Sequence, residues 1–235
     1  MVYTDIFEAA KKGTVDDVKY FIEKKGTDIK LKDNDGWTSL HHAANQNSNV
    51  DVLKYLVSKG ADINAKSNTG KTPLHSAAQD NINIDVFDYL ISEGADVNEK
   101  NNDEVSPLHD AAQWNSSVDV LKYLVSKGAD VNAKRKKGKT LLHSAAMGNT
   151  NIDVFKYLLS KGADVNAREE DGSTPLLNYL VRKNCSIEVV KLFISAGADI
   201  NIKENYGANP LGVAEMVGKE LGDMSIFQYL SSLGG

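Results

Sequence analysis

The sequence repeats with a period of 34 residues, and this period restricts the chain to folds built from stacked copies of one small unit. Five segments recur at or near this spacing: Thr38-Ser39-Leu40-His41, Thr72-Pro73-Leu74-His75, Ser106-Pro107-Leu108-His109, Thr140-Leu141-Leu142-His143 and Thr174-Pro175-Leu176-Leu177. A Gly-Ala-Asp motif follows each of them, beginning at Gly60, Gly94, Gly128, Gly162 and Gly197. A unit of this size cannot bury its apolar face alone, so the units must stack. Because stacked arrays present long surfaces, the period predicts binding rather than catalysis.

The composition argues against several classes of partner. Hydrophobic residues make up 41% and charged residues 25% of the chain, as in ordinary folded proteins. The net charge of -5 disfavours nucleic acid, whose partners carry a basic face, and weakly disfavours an anionic membrane surface. Cys185 is the only cysteine, so an internal disulfide is impossible and a reducing compartment fits.

The start of the sequence does not resemble a secretory signal peptide, and no apolar stretch is long enough to cross a membrane. We therefore expect a cytoplasmic protein without a membrane or nucleic-acid partner. Nuclear entry and export without a leader remain compatible with these features.

Each unit carries the signals of two helices and a turn. A hydroxyl or amide side chain suited to cap a first helix occurs at Thr38, Thr72, Ser106, Thr140, Thr174 and Asn209. All four prolines directly follow such a cap, at the first helical position, where a missing N–H is tolerated. Residues 52–57 predict a second, amphipathic helix that ends at Gly60. Turn-forming residues in 61–70 then predict a hairpin-like finger.

This pattern resembles the ankyrin repeat, whose signature is T-P-L-H-x-A followed by G-A-D-x-N. The resemblance covers the whole chain and implies an all-α fold, an ankyrin-repeat α-solenoid of stacked helix-turn-helix units with hairpin-like fingers. We expect a single domain, residues 1–235, with incomplete end units acting as caps. Its seven units span approximately residues 1–32, 33–66, 67–100, 101–134, 135–168, 169–203 and 204–235.

The departures from the family pattern concentrate toward the C-terminal end. The usual period is 33 residues, and the extra residue of the middle units lies between the paired helices, as in residues 47–50. The sixth unit is one residue longer still and has Leu177, Tyr179 and Leu180 in place of the histidine and the alanine pair. The seventh has a long inter-helix segment that includes residues 218–222. We therefore expect less regular curvature there.

The recurring histidines His41, His75, His109 and His143 suggest a metal site, but their spacing argues against one. Equivalent residues on adjacent helices lie about 8–10 Å apart, too far to share an ion at ~2 Å bonds. The resemblance implies that they hydrogen-bond at the helix starts. Residues 33–36 lack the spacing of a calcium loop, and Cys185 has no histidine near it in the repeat register. We expect no metal, no cofactor and no catalytic residue.

The candidate contact residues are those that vary between units while the repeated pattern stays constant. By resemblance to ankyrin binders, these positions line a concave groove of inner helices with finger tips at its edge. They are Trp37, His42, Gln46, Lys71, Asp80, Asp110, Trp114, Lys136, Lys137 and Lys139. Tryptophan is enriched in binding hot spots, although Trp37 could instead pack on its own finger.

Residues 134–139 form the one basic cluster, and residues 168–171 on the next finger are mostly acidic. The two fingers could compensate each other, the lysines could steer an acidic partner, or the cluster could be a nuclear localisation signal. For the whole chain we predict a monomeric, non-enzymatic module that binds another protein. The alternative is an inhibitor or adaptor subunit of an enzyme complex.

Overall fold

The computed structural model describes residues 3–234, which form helices, turns and two isolated β-bridges. The α-helices are α1 (Ile6–Lys12), α2 (Val15–Lys19), α3 (Ser39–Gln46), α4 (Val50–Ser58), α5 (Pro73–Asp80), α6 (Ile84–Ser92), α7 (Pro107–Trp114), α8 (Val118–Ser126), α9 (Leu141–Gly148), α10 (Ile152–Ser160), α11 (Pro175–Leu180), α12 (Ile187–Ser195), α13 (Pro210–Leu221) and α14 (Ser225–Ser232). A π-helical turn, Tyr20–Lys24, continues α2, and a 3-10 turn covers Lys136–Gly138. The predicted all-α solenoid class is confirmed.

The helices form consecutive pairs, each with an inner, odd-numbered helix and an outer, even-numbered one. The described residues divide into two compact units, an N-terminal unit up to Asp130 and a C-terminal unit from Val131. We describe each by itself, and the single domain with seven units stays a prediction. Residues 1–2 and 235 of the first and last predicted units lie outside the described residues.

Alanine pairs join the inner helices of the N-terminal unit. Ala43, Ala44, Ala77 and Ala78 are fully buried, and α3 packs against α5 as α5 packs against α7. Side chains this small let neighbouring backbones approach closely. The leucine near the start of α3, α5 and α7, such as Leu74, is also fully buried.

Three motif histidines hydrogen-bond at the helix starts, as the family resemblance implied, and also link one repeat to the next. In the second repeat the Thr38 N–H donates to His41 Nδ1 at 3.1 Å, so Nε2 carries the proton and donates to the Lys71 carbonyl at 3.0 Å. Burial lowers the pKa of His41 to about 4. The ring is therefore neutral at pH 7. His75 and His143 make the same contacts with the Val105 and Ser173 carbonyls.

A second set of cross-repeat bonds comes from asparagines in the inter-helix loops, which the repeat pattern did not indicate. Asn47 is 6% exposed and donates through Nδ2 to the carbonyls of Ala10 and Gly13, at 2.8 and 2.9 Å. Asn81 repeats the arrangement with the carbonyls of Ala44 and Asn47. The extra residue of these units thus belongs to a loop that joins neighbouring repeats.

In the C-terminal unit, the sixth repeat has other, larger side chains in place of the motif histidine, the alanine pair and the loop asparagine. Tyr179 is 2% exposed, and its ring lies 5.6 Å from Phe155 and 6.0 Å from Phe193, centroid to centroid. Its hydroxyl accepts the Ser186 N–H at 2.8 Å. Arg182 takes over the bonding of the loop asparagines by donating to the carbonyls of residues 146, 148 and 149. The residues that made this repeat look irregular therefore fill its core.

Candidate functional site

The inner-helix face of the N-terminal unit carries most of the predicted contact residues. Trp114 is the last residue of α7, and its side chain is 54% exposed. The equivalent residues of the two preceding repeats, Gln46 and Asp80, are polar and also exposed. Inner helices thus end in exposed side chains that differ from repeat to repeat, and Trp114 is the large apolar member of that series.

Trp37 lies against its own repeat. Its ring centroid is 5.3 Å from that of His42 and 5.8 Å from that of His41, and its backbone N–H donates to Asp33 Oδ1 at 2.8 Å. His42 in turn bonds Asp33 Oδ2 through Nε2 at 2.8 Å. Both side chains are partly exposed, so they offer a packed edge rather than a free aromatic ring. This arrangement favours the alternative that Trp37 packs on its own finger.

Lys71 and Asp110 pair with each other. The Lys71 ammonium lies 3.0 Å from Asp110 Oδ1, and the Gln79 amide donates to the same oxygen at 3.3 Å. Asp110 is only 3% exposed because it projects from α7 under these two side chains. Asp110 is therefore buried and holds Lys71 in place, and its predicted role as a contact residue stays a prediction. Lys71 keeps 19% of its side chain exposed.

Gln46 and Asp80 lie at the ends of α3 and α5 and line one shallow depression with Ser48 and Ile82. Asp80 Oδ2 accepts a hydrogen bond from the buried Asn45 Nδ2 at 2.9 Å, which fixes the orientation of this exposed carboxylate. Ile82 is 62% exposed, yet it was not among the predicted contacts. Its position just after the inner helix varies between repeats, and that variation could have identified it.

The predicted basic finger lies in the C-terminal unit, where acidic residues meet it. Lys139 Nζ is 3.0 Å from Glu169 Oε2, and this glutamate is almost completely buried. Glu169 also accepts from Asn178 Nδ2 at 2.7 Å. Lys137 and Lys139 line one cleft with residues 169–171, and the Lys137 carbonyl accepts the Glu170 N–H at 2.9 Å. These contacts favour mutual compensation over steering for Lys139, whereas Lys136 and Lys137 stay exposed.

A separate small cavity of the C-terminal unit lies beside Cys185, and both apolar and charged residues line it, among them Leu180, Lys183, Val217, Asp223 and Ile226. The Cys185 thiol donates to the Arg182 carbonyl at 3.0 Å, and burial raises its pKa. A thiol in that state is a poor nucleophile. Within residues 3–234, there is no group of three or more histidine, cysteine, aspartate or glutamate side chains that could hold a metal ion. No helix in these residues is long and apolar enough to span a membrane.

A family model described as ankyrin repeats (3 copies) matches the chain over residues 6–101, 54–135, 82–169, 108–204 and 142–231. The overlapping matches together cover residues 6–231, which is nearly the whole chain. Comparison with curated proteins found no match.

Proposed function

The chain belongs to the ankyrin repeat family, and from this premise we propose that it binds a partner protein through its inner-helix face and finger tips and catalyses no reaction itself. Ankyrin repeat domains are generally protein-binding modules, and the family is typically non-enzymatic.

The observation that carries the proposal is the exposed ring of Trp114 at the end of an inner helix. Burying a tryptophan at an interface removes a large apolar area from water, and tryptophan dominates binding hot spots. The other contacts that we propose in the N-terminal unit are Gln46, Asp80, Lys71 and the partly exposed edge of Trp37 and His42. We propose Lys136 and Lys137 as contacts on a finger tip of the C-terminal unit.

Affinity capture with the intact chain as bait tests this proposal. Trp114→Ala should lower the amount of partner recovered, with a loss of about 2 kcal/mol in binding free energy. Lys122→Ala is the matched control, because Lys122 lies on the outer helix of the same repeat and is exposed. Equal recovery with Trp114→Ala and Lys122→Ala would contradict the proposed surface.

The same capture addresses the alternative function. An inhibitor or adaptor subunit should recover an enzyme whose turnover changes when the chain is added in stoichiometric amount. Recovery of a partner without a catalytic activity to modulate would favour the simple binding module.

A further inference from the structure

The inner face of the N-terminal unit carries an excess of negative charge. The three segments that run from a finger through the following inner helix, residues 33–46, 67–80 and 101–114, contain one lysine, Lys71. Their carboxylates are Asp33, Asp35, Asp80, Asp103, Glu104 and Asp110. With histidine neutral, these segments alone have the net charge of the whole chain, -5. Burial lowers the pKa of His41 and His75, so both are neutral at pH 7.

Much of this negative charge is open to solvent. Asp110 forms an ion pair with Lys71, and Asp33 is hydrogen-bonded to His42. Asp35, Asp80 and Glu104 are exposed, and no lysine or arginine of the part of the chain that the structure describes forms an ion pair with them. Carboxylates arranged in this way attract a positively charged partner and select against an acidic one.

An apolar pair lies within this acidic face. Ser48 and Asp80 line one depression between neighbouring repeats. Ile82 and Trp114 occupy the same two positions one repeat later, and α5 packs on α7 as α3 packs on α5. From this register we expect Ile82 and Trp114, 62% and 54% exposed, to lie on either side of an equivalent depression. Both present apolar surface to solvent that an apolar side chain of a partner would cover.

Asp110 adds a hydrogen-bond acceptor beneath Trp114. The two residues are four apart on α7, so they lie on one helix face. Lys71 and Gln79 both bond Asp110 Oδ1, whereas Oδ2 is buried and has no partner among the described residues. Buried polar atoms rarely stay without a partner. Oδ2 is thus an unused acceptor, and a cationic side chain of the partner must displace neighbouring side chains to reach it.

We propose that the N-terminal unit recognises a basic segment of its partner protein, with a large apolar residue held between Ile82 and Trp114 and lysine or arginine side chains on Asp35, Asp80, Glu104 and Asp110. This inference rests on the proposed function and adds the chemistry of the partner to it.

A phage-displayed library of random 12-residue peptides, selected on the immobilised full chain, tests this inference without knowledge of the natural partner. The selected peptides should combine a net positive charge with at least one large apolar residue. Their binding should also shift the fluorescence of Trp114, measured in a chain with Trp37→Phe so that a single tryptophan emits.

Two charge-matched variants locate the binding face. Asp35→Asn, Asp80→Asn and Glu104→Gln together should weaken a selected basic peptide by roughly tenfold, because three attractive charges are removed. Asp51→Asn, Asp85→Asn and Asp119→Asn change the net charge equally but lie exposed on the outer helices, so affinity should stay within about twofold. Circular dichroism should show that both variants keep the helical fold.

The outcomes separate the two proposals. Selection of acidic peptides that still shift Trp114 emission would overturn the basic-segment inference and leave the proposed function standing. If both triple variants weakened peptide binding equally, the inference would also be overturned, because the net charge of the chain rather than the inner face would then determine the affinity. Peptides that bind without any shift of Trp114 emission would count against the inner face and therefore against both proposals.

Discussion

Two aromatic residues depart from the repeat pattern in opposite directions. In the fourth repeat, Trp114 ends an inner helix with its ring 54% exposed, while the alanine pair beneath it stays buried. In the sixth repeat, Tyr179 replaces an alanine, is 2% exposed and has its hydroxyl bonded to the Ser186 N–H. Tyr179 is part of the core, so its side chain contributes to folding stability. Trp114 leaves the core of its repeat unchanged and faces solvent, so its side chain is available to a partner.

The largest expected effect is the difference between these two residues in folding stability. Tyr179→Ala should cost about 3–5 kcal/mol, because it leaves a cavity beside Phe155 and Phe193. Trp114→Ala should cost less than ~1 kcal/mol, as at other surface sites. Leu108→Ala, at a core position of the same helix as Trp114, should cost ~2–5 kcal/mol.

Urea unfolding of the three variants at pH 7 measures these costs. If Trp114→Ala destabilises the chain as much as Leu108→Ala, Trp114 belongs to the core and the comparison fails.

The pH dependence of folding stability also distinguishes the repeats, because the sixth repeat has Leu177 where four earlier repeats have histidine. Folding lowers the pKa of His41 from 6.5 to about 4 through burial, so between these values the unfolded chain binds the proton that the folded chain excludes. Stability is therefore complete above pH 6.5 and falls as the pH drops toward 4, by roughly 3 kcal/mol for His41. His75 and His143 act in the same direction, since burial also lowers their pKa.

Unfolding free energies measured from pH 7 to pH 4.5 test this dependence. His41→Leu copies the sixth repeat and should flatten the curve in this range while losing the bond to the Lys71 carbonyl. A curve as steep as that of the wild type would show that His41 does not cause the acid sensitivity.

The next smaller effect on folding stability concerns the side chains that bond the inter-helix loops. Asn81→Ala in the N-terminal unit and Arg182→Ala in the C-terminal unit should each cost about 1–3 kcal/mol, because each leaves loop carbonyls without a donor. Lys183→Ala is the control, since Lys183 is exposed and forms only a surface ion pair. Arg182→Ala with no more effect than Lys183→Ala would mean that the arginine does not replace the asparagine.

The smallest effect concerns local opening at the C-terminal end. Helix α14 buries only Leu230 among its described residues, whereas α6 buries Val86, Phe87 and Leu90. End units of an array open most readily. Amide hydrogen exchange should be faster in residues 209–234 than in residues 72–128, by tenfold or more, which corresponds to about 1.4 kcal/mol. Equal protection in the two regions would contradict this ordering.

Much of the fold was predictable because its signals are local. A cap residue followed by proline defines where α5, α7, α11 and α13 begin, and the glycine after each outer helix takes a left-handed conformation, as at Gly60 with φ 93°. Asn64 and Asn98 donate to the Gly94 and Gly128 carbonyls and so link neighbouring turns. These bonds recur because each repeat meets the same neighbour.

The remainder depends on contacts that no single repeat specifies. The pairing of Lys71 with Asp110 joins residues on different repeats, so variable positions alone could not show that Asp110 is buried. The bonding of Arg182 in place of a loop asparagine requires the carbonyls of the preceding repeat. The contact between Lys139 and Glu169 likewise joins residues of different repeats and compensates one charge of the basic cluster.

The central claim is that a partner protein covers the end of the inner helix of the fourth repeat. Site-specific photo-crosslinking tests it most directly, with p-benzoylphenylalanine placed at position 114 and, in a second variant, at position 122 on the outer helix. We expect a crosslinked partner from position 114 and none from position 122. A crosslink from position 122 alone, with the partner still captured by both variants, would contradict the claim.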